Sequence, residues 1–191
     1  MITAFTHPCE GIVNRICIDC IISLPNDESS ETEELKALWD TGAMATCISD
    51  ARAKQMGLVQ VDTTQVLGAN NVPFDAPVYV VRVRMGDFII PANKVIGLPM
   101  KDAGHEMIIG MDIISRGDLT ITNSQGRTVL TFREPSLETI DYVKEISLQD
   151  RCYKIHLQNI QRKIPDKCAC GSGRDFKNCH GNTPYMRHEI K

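Results

Sequence analysis

The chain has 191 residues, of which 42% are apolar and 24% are charged, a composition typical of a globular protein. No stretch approaches the ~20 apolar residues of a membrane span, and the N-terminal residues lack the pattern of a signal peptide, so we expect a cytoplasmic protein without a membrane partner. The net charge of −3 is unevenly distributed. Residues 1–150 carry 12 Lys and Arg against 21 Asp and Glu, whereas residues 151–191 carry 9 against 3, which predicts an acidic body followed by a basic tail.

The first two-thirds of the chain is predicted to form short strands separated by turns. We assign strands to residues 11–24, 35–40, 45–49, 59–67, 77–85, 88–98, 119–122 and 128–132, with an acidic loop at 25–34. A short helix at 50–56 is expected between Ser49 as its N-cap and Gly57 as its stop. Seven or more strands with one short helix predict an all-β barrel or sandwich.

The composition changes after Pro135. Residues 136–164 contain no glycine or proline, and their apolar residues recur at helical spacing, which predicts one or two helices that end before Pro165. We therefore divide the chain into a β domain at 1–134, a helical linker at 135–165, a cysteine segment at 166–182 and a tail at 183–191.

The chain contains eight cysteines. In a protein without an export signal, thiols or metal ligands are expected rather than disulfides. Cys17 and Cys20 lie in a predicted strand, and residues three apart in a strand face opposite sides of the sheet. These two cysteines are therefore predicted to pack as small apolar residues rather than to bind one ion.

Asp40 follows an apolar strand and precedes Thr41 and Gly42. A carboxylate at the end of a buried strand is costly unless it has a function. Held in a tight turn it can act as a general base on water, but amide hydrolysis also needs an acid. Two carboxylates that share one proton supply both. Since the chain carries one Asp-Thr-Gly, a two-fold homodimer is needed to bring two copies of Asp40 together.

Two stretches, ALWDTGAMATCIS at 37–49 and MIIGMDIIS at 107–115, resemble the retropepsin-like aspartic proteases. The similarity is to the protease domain of the DNA-damage-inducible ubiquitin-shuttle proteins and their bacterial relatives, and it covers about residues 11–133. This resemblance implies a closed β-barrel of the acid-protease fold and an aspartic endopeptidase that acts as a homodimer on a polypeptide substrate.

The resemblance also implies roles for individual residues. Asp40 corresponds to the catalytic aspartate, Thr41 braces the two loops across the dimer interface, and Gly42 completes the loop with Ala43. Residues 108–110 are expected to pack beneath this loop. The substrate-binding flap falls on Gly68, Ala69, Asn70 and Asn71.

Alternative interpretations stay open at this point. Asp40 could be a satisfied turn residue in a non-catalytic dimeric barrel that binds peptides or partners as an adaptor. Asp112 follows a glycine and is interpreted as a helix cap rather than a second catalytic acid. Trp39 is bulkier than the Leu, Val or Phe expected before the aspartate, which leaves the local packing of the site open.

The stretch CACGSGRDFKNCHG at 168–181 is the most specific short motif of the chain. Three thiolates and one imidazole form a closed tetrahedral set for Zn²⁺ without an open position for water, so a structural site is predicted. The turn at 171–173 lets the chain fold back so that the ligands meet. The predicted ligands are Cys168, Cys170, Cys179 and His180.

This stretch resembles the SEC-C motif, which ends the bacterial preprotein-translocase ATPase and is appended to many other proteins. The resemblance covers about residues 167–181 and implies a small zinc module that contacts a partner. The surrounding basic excess fits an acidic protein or a nucleic acid. We accordingly expect a zinc-bound recruitment module behind the protease domain.

Overall fold

The computed structural model describes residues 2–25, 33–67, 72–100 and 104–183. The strands are β1 Thr3–Pro8, β2 Cys17–Ser23, β3 Glu33–Trp39, β4 Cys47–Ser49, β5 Asp62–Leu67, β6 Pro73–Met85, β7 Phe88–Leu98, β8 Met107–Ile109, β9 Asp118–Thr122 and β10 Val129–Glu134. The α-helices are α1 Asp50–Gln55, α2 Met111–Ile114 and α3 Tyr142–Arg162. The predicted mainly β fold followed by a helical segment is confirmed. The chain divides into two compact units, Met1–Glu138 and Thr139–Lys191.

In the first unit, a seven-stranded sheet has the order β2-β3-β8-β4-β7-β6-β5. A further pairing joins β2 to β6, where Ile22 lies opposite Val83, so the sheet curls back on itself and β5 continues beyond β6. The pairs β3–β8 and β4–β7 are parallel. Because the carboxyl ends of parallel strands lie side by side, the loops that follow β3 and β8 begin at the same edge.

A smaller sheet of order β1-β10-β9 belongs to the same unit. Aromatic side chains fill the space between the two sheets: Phe5 of β1 lies 5.5 Å from Trp39 of β3, and Phe132 of β10 lies 5.2 Å from the same ring. Trp39 is only 8% exposed. Its bulk is therefore explained by a packing role between the sheets rather than by a contact within the active-site loop.

The strand assignments follow from alternation of burial. In β2, Ile18, Cys20 and Ile22 are buried while Asp19 is exposed, and Cys17 is half-buried on the other face. This agrees with the interpretation that Cys17 and Cys20 point to opposite sides. The predicted strand at 11–24 begins only at Cys17, and β1 was not predicted at all.

The second unit is built on α3, a single helix of 21 residues. Its N-cap is Asp141, whose side chain accepts a hydrogen bond from the backbone N–H of Lys144, and its C-cap Lys163 has a left-handed φ of 54°. Cys152 of α3 shares a small core with Cys168 and Phe176. The helix predicted as a linker thus packs against the cysteine segment.

Among the described residues, no helix combines the length and the apolar character that crossing a bilayer requires.

Candidate active site and candidate metal site

Asp40 is held by the backbone on both sides. Its N–H donates a hydrogen bond of 3.1 Å to the carbonyl of Ile109 in β8, and its carbonyl accepts one of 3.2 Å from Ala43. The carboxylate oxygen Oδ1 accepts the N–H of Gly42 at 2.8 Å. Asp40 is half-buried, and Thr41 and Gly42 are exposed. The turn therefore fixes the orientation of the carboxylate at a position that solvent reaches.

Gly110 lies directly against the loop that carries Asp40. A Cβ at this position would lie 2.5 Å from the carbonyl carbon of Ala45, so only glycine allows this approach. The next residue, Met111, donates its N–H to the carbonyl of Ala43 at 2.8 Å. The segment at 108–110 therefore packs against the Asp40 loop, as the resemblance implied.

A buried hydroxyl joins the two loops. The Thr46 side chain accepts the N–H of Gly110 at 3.1 Å and donates to Asp112 Oδ1 at 2.7 Å. Thr46 is fully buried. Helix α2 has Gly110 as its N-cap and no side-chain capping bond, so the interpretation of Asp112 as the helix cap is wrong. Its carboxylate instead accepts the hydroxyl of the buried Thr46 and so braces the Asp40 loop.

A cleft of about 330 Å³ opens beside the Asp40 loop. Most of its lining is apolar: Gly42, Ala43, Met44, Ala45, Cys47, Gln65, Val66, Leu67, Ile96, Leu98 and Ile108. The far wall is the end of β5, where Leu67 lies opposite Pro73 of β6. The predicted flap residues Gly68, Ala69, Asn70 and Asn71, which connect these two strands in the chain, lie outside the described residues.

The second unit brings the four predicted metal ligands together. One ligand atom each from Cys168, Cys170, Cys179 and His180 lies within 4.8 Å of the other three. His180 Nδ1 is 3.2 Å from Cys168 Sγ and 3.4 Å from Cys179 Sγ, and the Sγ atoms of Cys170 and Cys179 are 3.6 Å apart. A set of three thiols and one imidazole nitrogen is compatible with a metal site.

The turn of the cysteine segment and its hydrogen bonds suit this donor set. Gly171 and Gly173 have φ values of 83° and 72°, which residues with a Cβ rarely adopt. The tight turn therefore requires glycine at both positions. Hydrogen bonds from Ser172 lower the pKa of the Cys170 thiol to about 6. A lowered thiol pKa favours the thiolate, which is the form that binds metal ions.

Several residues of α3 support the cluster and were not singled out from the sequence. Gln149, only 6% exposed, donates its side-chain N–H to the carbonyl of His180 at 2.8 Å. His156 stacks on Phe176 with ring centroids 4.2 Å apart, and its Nδ1 lies 2.7 Å from Asp166 Oδ2. The only signal for these roles in the sequence is that Gln149 and His156 are polar residues on a helix face that also carries apolar residues.

Residues 29–116 match the model of the family described as "gag-polyprotein putative aspartyl protease", and residues 165–182 match the SEC-C motif. A comparison with curated proteins finds no significant match. Both matches support the resemblances noted in the sequence, to the retropepsin-like aspartic proteases and to the SEC-C motif.

Two crystal structures are similar to this chain. A retropepsin-like aspartic protease from Rickettsia conorii has 16% identity and a TM-score of 0.44, covering 70% of this chain and 96% of its own. The retroviral protease-like domain of Ddi1 from Leishmania major has 18% identity and a TM-score of 0.37, covering 68% and 98%.

Proposed function

We propose that the protein is an aspartic endopeptidase that acts as a homodimer, with one Asp40 from each protomer in a single active site. The observation that carries this proposal is the half-buried Asp40 carboxylate, oriented by the N–H of Gly42, which itself lines an apolar cleft together with Ala43. One such carboxylate per chain supplies one catalytic acid, so the second comes from a two-fold partner.

The chemistry divides between the two carboxylates. The ionised Asp40 removes a proton from a water molecule, and the oxygen of that water attacks the carbon of the peptide carbonyl. The protonated Asp40 of the other copy donates its proton to the carbonyl oxygen. The resulting diol breaks its C–N bond when the amine receives a proton. Two carboxylates in contact hold one proton over an intermediate pH range, because like charges at that distance resist full ionisation.

The neighbouring residues have supporting roles in this proposal. The exposed Thr41 contacts the equivalent loop of the second protomer, and Gly42 supplies the N–H that orients Asp40. Gly68, Ala69, Asn70 and Asn71, which lie outside the described residues, are proposed as the substrate-binding flap. Exposed apolar side chains on both strands next to it, Leu67 and Phe74, favour an unfolded polypeptide as the substrate.

We propose zinc as the metal of the second unit. In a tetrahedral site with Zn–S of about 2.3 Å and Zn–N of about 2.0 Å, ligand atoms lie roughly 3.5–3.8 Å apart. Three separations in the structure, 3.2 Å, 3.4 Å and 3.6 Å, lie within about 0.3 Å of these values, and all four ligand atoms lie within 4.8 Å of one another. Zn²⁺ bound by Cys168, Cys170, Cys179 and His180 supplies structural stability to the cysteine segment rather than catalysis.

The zinc-bound unit serves as a recruitment module. Lys163, Arg174 and Lys177 are exposed around it, which suits an acidic protein or a nucleic acid as the partner. Tethering the partner raises the local concentration of substrate near the cleft. The cytoplasm is the proposed location, since free thiols and thiolate ligands persist in a reducing compartment.

The decisive experiment compares Asp40→Asn with the wild type in cleavage of an unfolded protein and in sedimentation. The Asn variant should lose at least about 10³-fold of the activity, because it removes both the base and the shared proton, and should still dimerise. Asp87→Asn, the same change at an exposed turn, is the matched control and should cleave normally.

Equal activity of the Asp40→Asn variant would assign the hydrolysis to other residues. A wild-type dimer that binds unfolded peptides without cleaving them would support the non-catalytic adaptor instead.

A further inference from the structure

An apolar stripe follows one face of α3. Its members are exposed by 44% to 75%: Val143, Ile146, Leu157, Ile160 and, just past the end of the helix, Ile164. At 100° per residue the four helical members, Val143, Ile146, Leu157 and Ile160, fall on one side of the helix. An apolar surface this long on a helix is a candidate for contact with a partner.

The apolar stripe borders the face that packs within the second unit, and the two meet at Tyr153, which is half-buried against the core of Cys152, Cys168 and Phe176. Gln149, Cys152 and His156 point to the cysteine segment, about a quarter-turn around the helix from the stripe at 100° per residue. The side opposite the stripe carries the exposed polar residues Lys144 and Gln158. The exposed members Val143, Ile146, Leu157 and Ile160 therefore lie beside the face that its own unit uses.

The stripe has the spacing of a coiled-coil seam. Within the helix, positions 143, 146, 150, 153, 157 and 160 alternate by three and four residues, as the a and d positions of a heptad do. Tyr153 at the centre also packs against the core of its own unit, and the one charged member is the exposed Asp150. In a parallel pair of helices Asp150 would face itself across the axis, which is unfavourable.

An antiparallel pair avoids this conflict. With the two-fold axis near Tyr153, Asp150 of one copy lies beside Leu157 and Lys154 of the other. The distribution of charge along the helix also favours the antiparallel arrangement. The first half, 141–150, carries Asp141, Glu145 and Asp150 against one lysine, whereas the second half, 151–163, carries Arg151, Lys154, Arg162 and Lys163 and no acidic residue. Antiparallel pairing brings the acidic half of each helix against the basic half of the other.

We propose that the apolar stripe of α3 binds the same stripe of a second copy of this chain, antiparallel and with two-fold symmetry. The proposal rests on the homodimer of the proposed function, to which it adds a second and independent contact. Since the protease domains already hold two copies together, pairing of the helices becomes intramolecular and gains from a high effective concentration.

The test is the dimer dissociation constant of the full, zinc-loaded chain, measured by sedimentation at several concentrations. Leu157→Gln with Ile160→Gln keeps helix propensity and side-chain length but removes the apolar surface. We expect dimerisation at least tenfold weaker than in the wild type. Gln158→Ala, an exposed change beside these positions, is the control and should leave the constant unchanged.

A second pair of variants tests the orientation. Asp150→Lys should weaken dimerisation, because it places two lysines side by side in the antiparallel arrangement. Adding Lys154→Asp should bring the dissociation constant back to within about threefold of the wild-type value. In the double variant, positions 150 and 154 of opposite copies again carry opposite charges, with the two signs exchanged. In a parallel arrangement like charges would still face each other at position 150, so the exchange would restore nothing and the proposal would be wrong.

Each outcome has a distinct meaning. An unchanged constant in the Leu157→Gln, Ile160→Gln variant of a dimeric protein overturns this proposal and leaves the protease dimer in place. Lower thermal stability with an unchanged constant assigns the stripe to contacts within one chain and also overturns it. A wild type that is monomeric while it cleaves contradicts the proposed homodimer itself. If circular dichroism shows that the double variant loses helix, the result for Asp150→Lys with Lys154→Asp decides.

Discussion

The hydroxyl of Thr46 donates a hydrogen bond of 2.7 Å to Asp112 Oδ1 from a position without solvent exposure. The same hydroxyl accepts the N–H of Gly110. Two residues 66 positions apart in sequence thereby hold the Asp40 loop against the segment that follows β8. The orientation of the proposed catalytic carboxylate depends on this buried contact as well as on its own turn.

Thr46→Val should therefore destabilise the protein by about 1–3 kcal/mol, because it leaves the N–H of Gly110 buried without its partner. Proteolytic activity should fall further than stability alone explains. Urea denaturation and peptide turnover measure the two effects. Thr46→Ser keeps the hydroxyl and should behave nearly as the wild type; equal losses in both variants would mean that the methyl group, not the hydrogen bond, matters.

Gly110→Ala should displace the Asp40 loop. The added Cβ would lie 2.5 Å from the Ala45 carbonyl carbon, and the backbone has to move to relieve the contact. We expect a loss of stability of about 1–3 kcal/mol and at least a 10²-fold loss of turnover. Asp87→Asn, a change at an exposed turn, is the comparison and should keep both stability and turnover. Full turnover in Gly110→Ala would contradict a tightly packed loop.

Asp118, which bonds to residues near the end of the β domain, should make the free energy of unfolding depend on pH. The side chain of Ser136, the N–H of Leu137 and the guanidinium of Arg133 all bond its carboxylate and lower its pKa well below the usual range. A carboxylate with a lowered folded pKa stabilises the protein above its unfolded pKa of about 3.9, and that stability is lost as pH falls toward the folded value.

Asp118→Asn should accordingly unfold at lower urea than the wild type at pH 7. The difference between the two proteins should narrow steadily below about pH 4, where the carboxylate becomes protonated in the unfolded chain. Asp87→Asn serves as the control. A difference that stays constant down to pH 2 would show that the charge of Asp118 is not responsible.

Thiol reactivity should separate the cysteines into classes. Burial raises the pKa of Cys20 to about 12 and that of Cys47 to about 11, so both stay protonated and unreactive at pH 8. In the zinc-loaded protein, iodoacetamide followed by peptide mass spectrometry should leave these two unlabelled. A chelator should then expose Cys168, Cys170 and Cys179 first. Labelling of Cys20 before these three would contradict the assignment.

Gln149→Ala should weaken zinc binding by about tenfold, because its amide positions the backbone of His180. Competition with a chromophoric chelator measures the affinity in the full chain. Gln158→Ala, exposed on the same helix, should bind zinc as the wild type does. If the wild type and both variants bind zinc with equal affinity, Gln149 only packs in the core and does not position His180.

Much of this architecture could be predicted from the sequence because its determinants are local. Apolar residues alternate along β2, and this alternation predicts a strand. The strand predicted at 88–98 has the same bounds as β7 in the structure. The Asp-Thr-Gly turn and the cysteine motif are contiguous, so the contact between Asp40 and Gly42 and the cluster around His180 needed no long-range information.

The missed features depend on contacts between distant segments. β1 has only a weak alternation of its own and forms because β10 pairs with it across more than 120 residues. The role of Asp112 depends on a hydroxyl in another loop, and the size of Trp39 on a ring contributed by Phe5. None of these partners lies within the window that a periodicity argument covers.

The shared core of Cys152, Cys168 and Phe176 bears on where this protein can be divided. A fragment that starts at residue 165, where the SEC-C match begins, would leave behind the helix that completes that core. A transplantable cassette therefore has to start near Thr139, the boundary between the two units. Fused at that point to an unrelated enzyme, it would carry its metal ligands and their supporting helix together, whereas a shorter graft would carry the ligands alone.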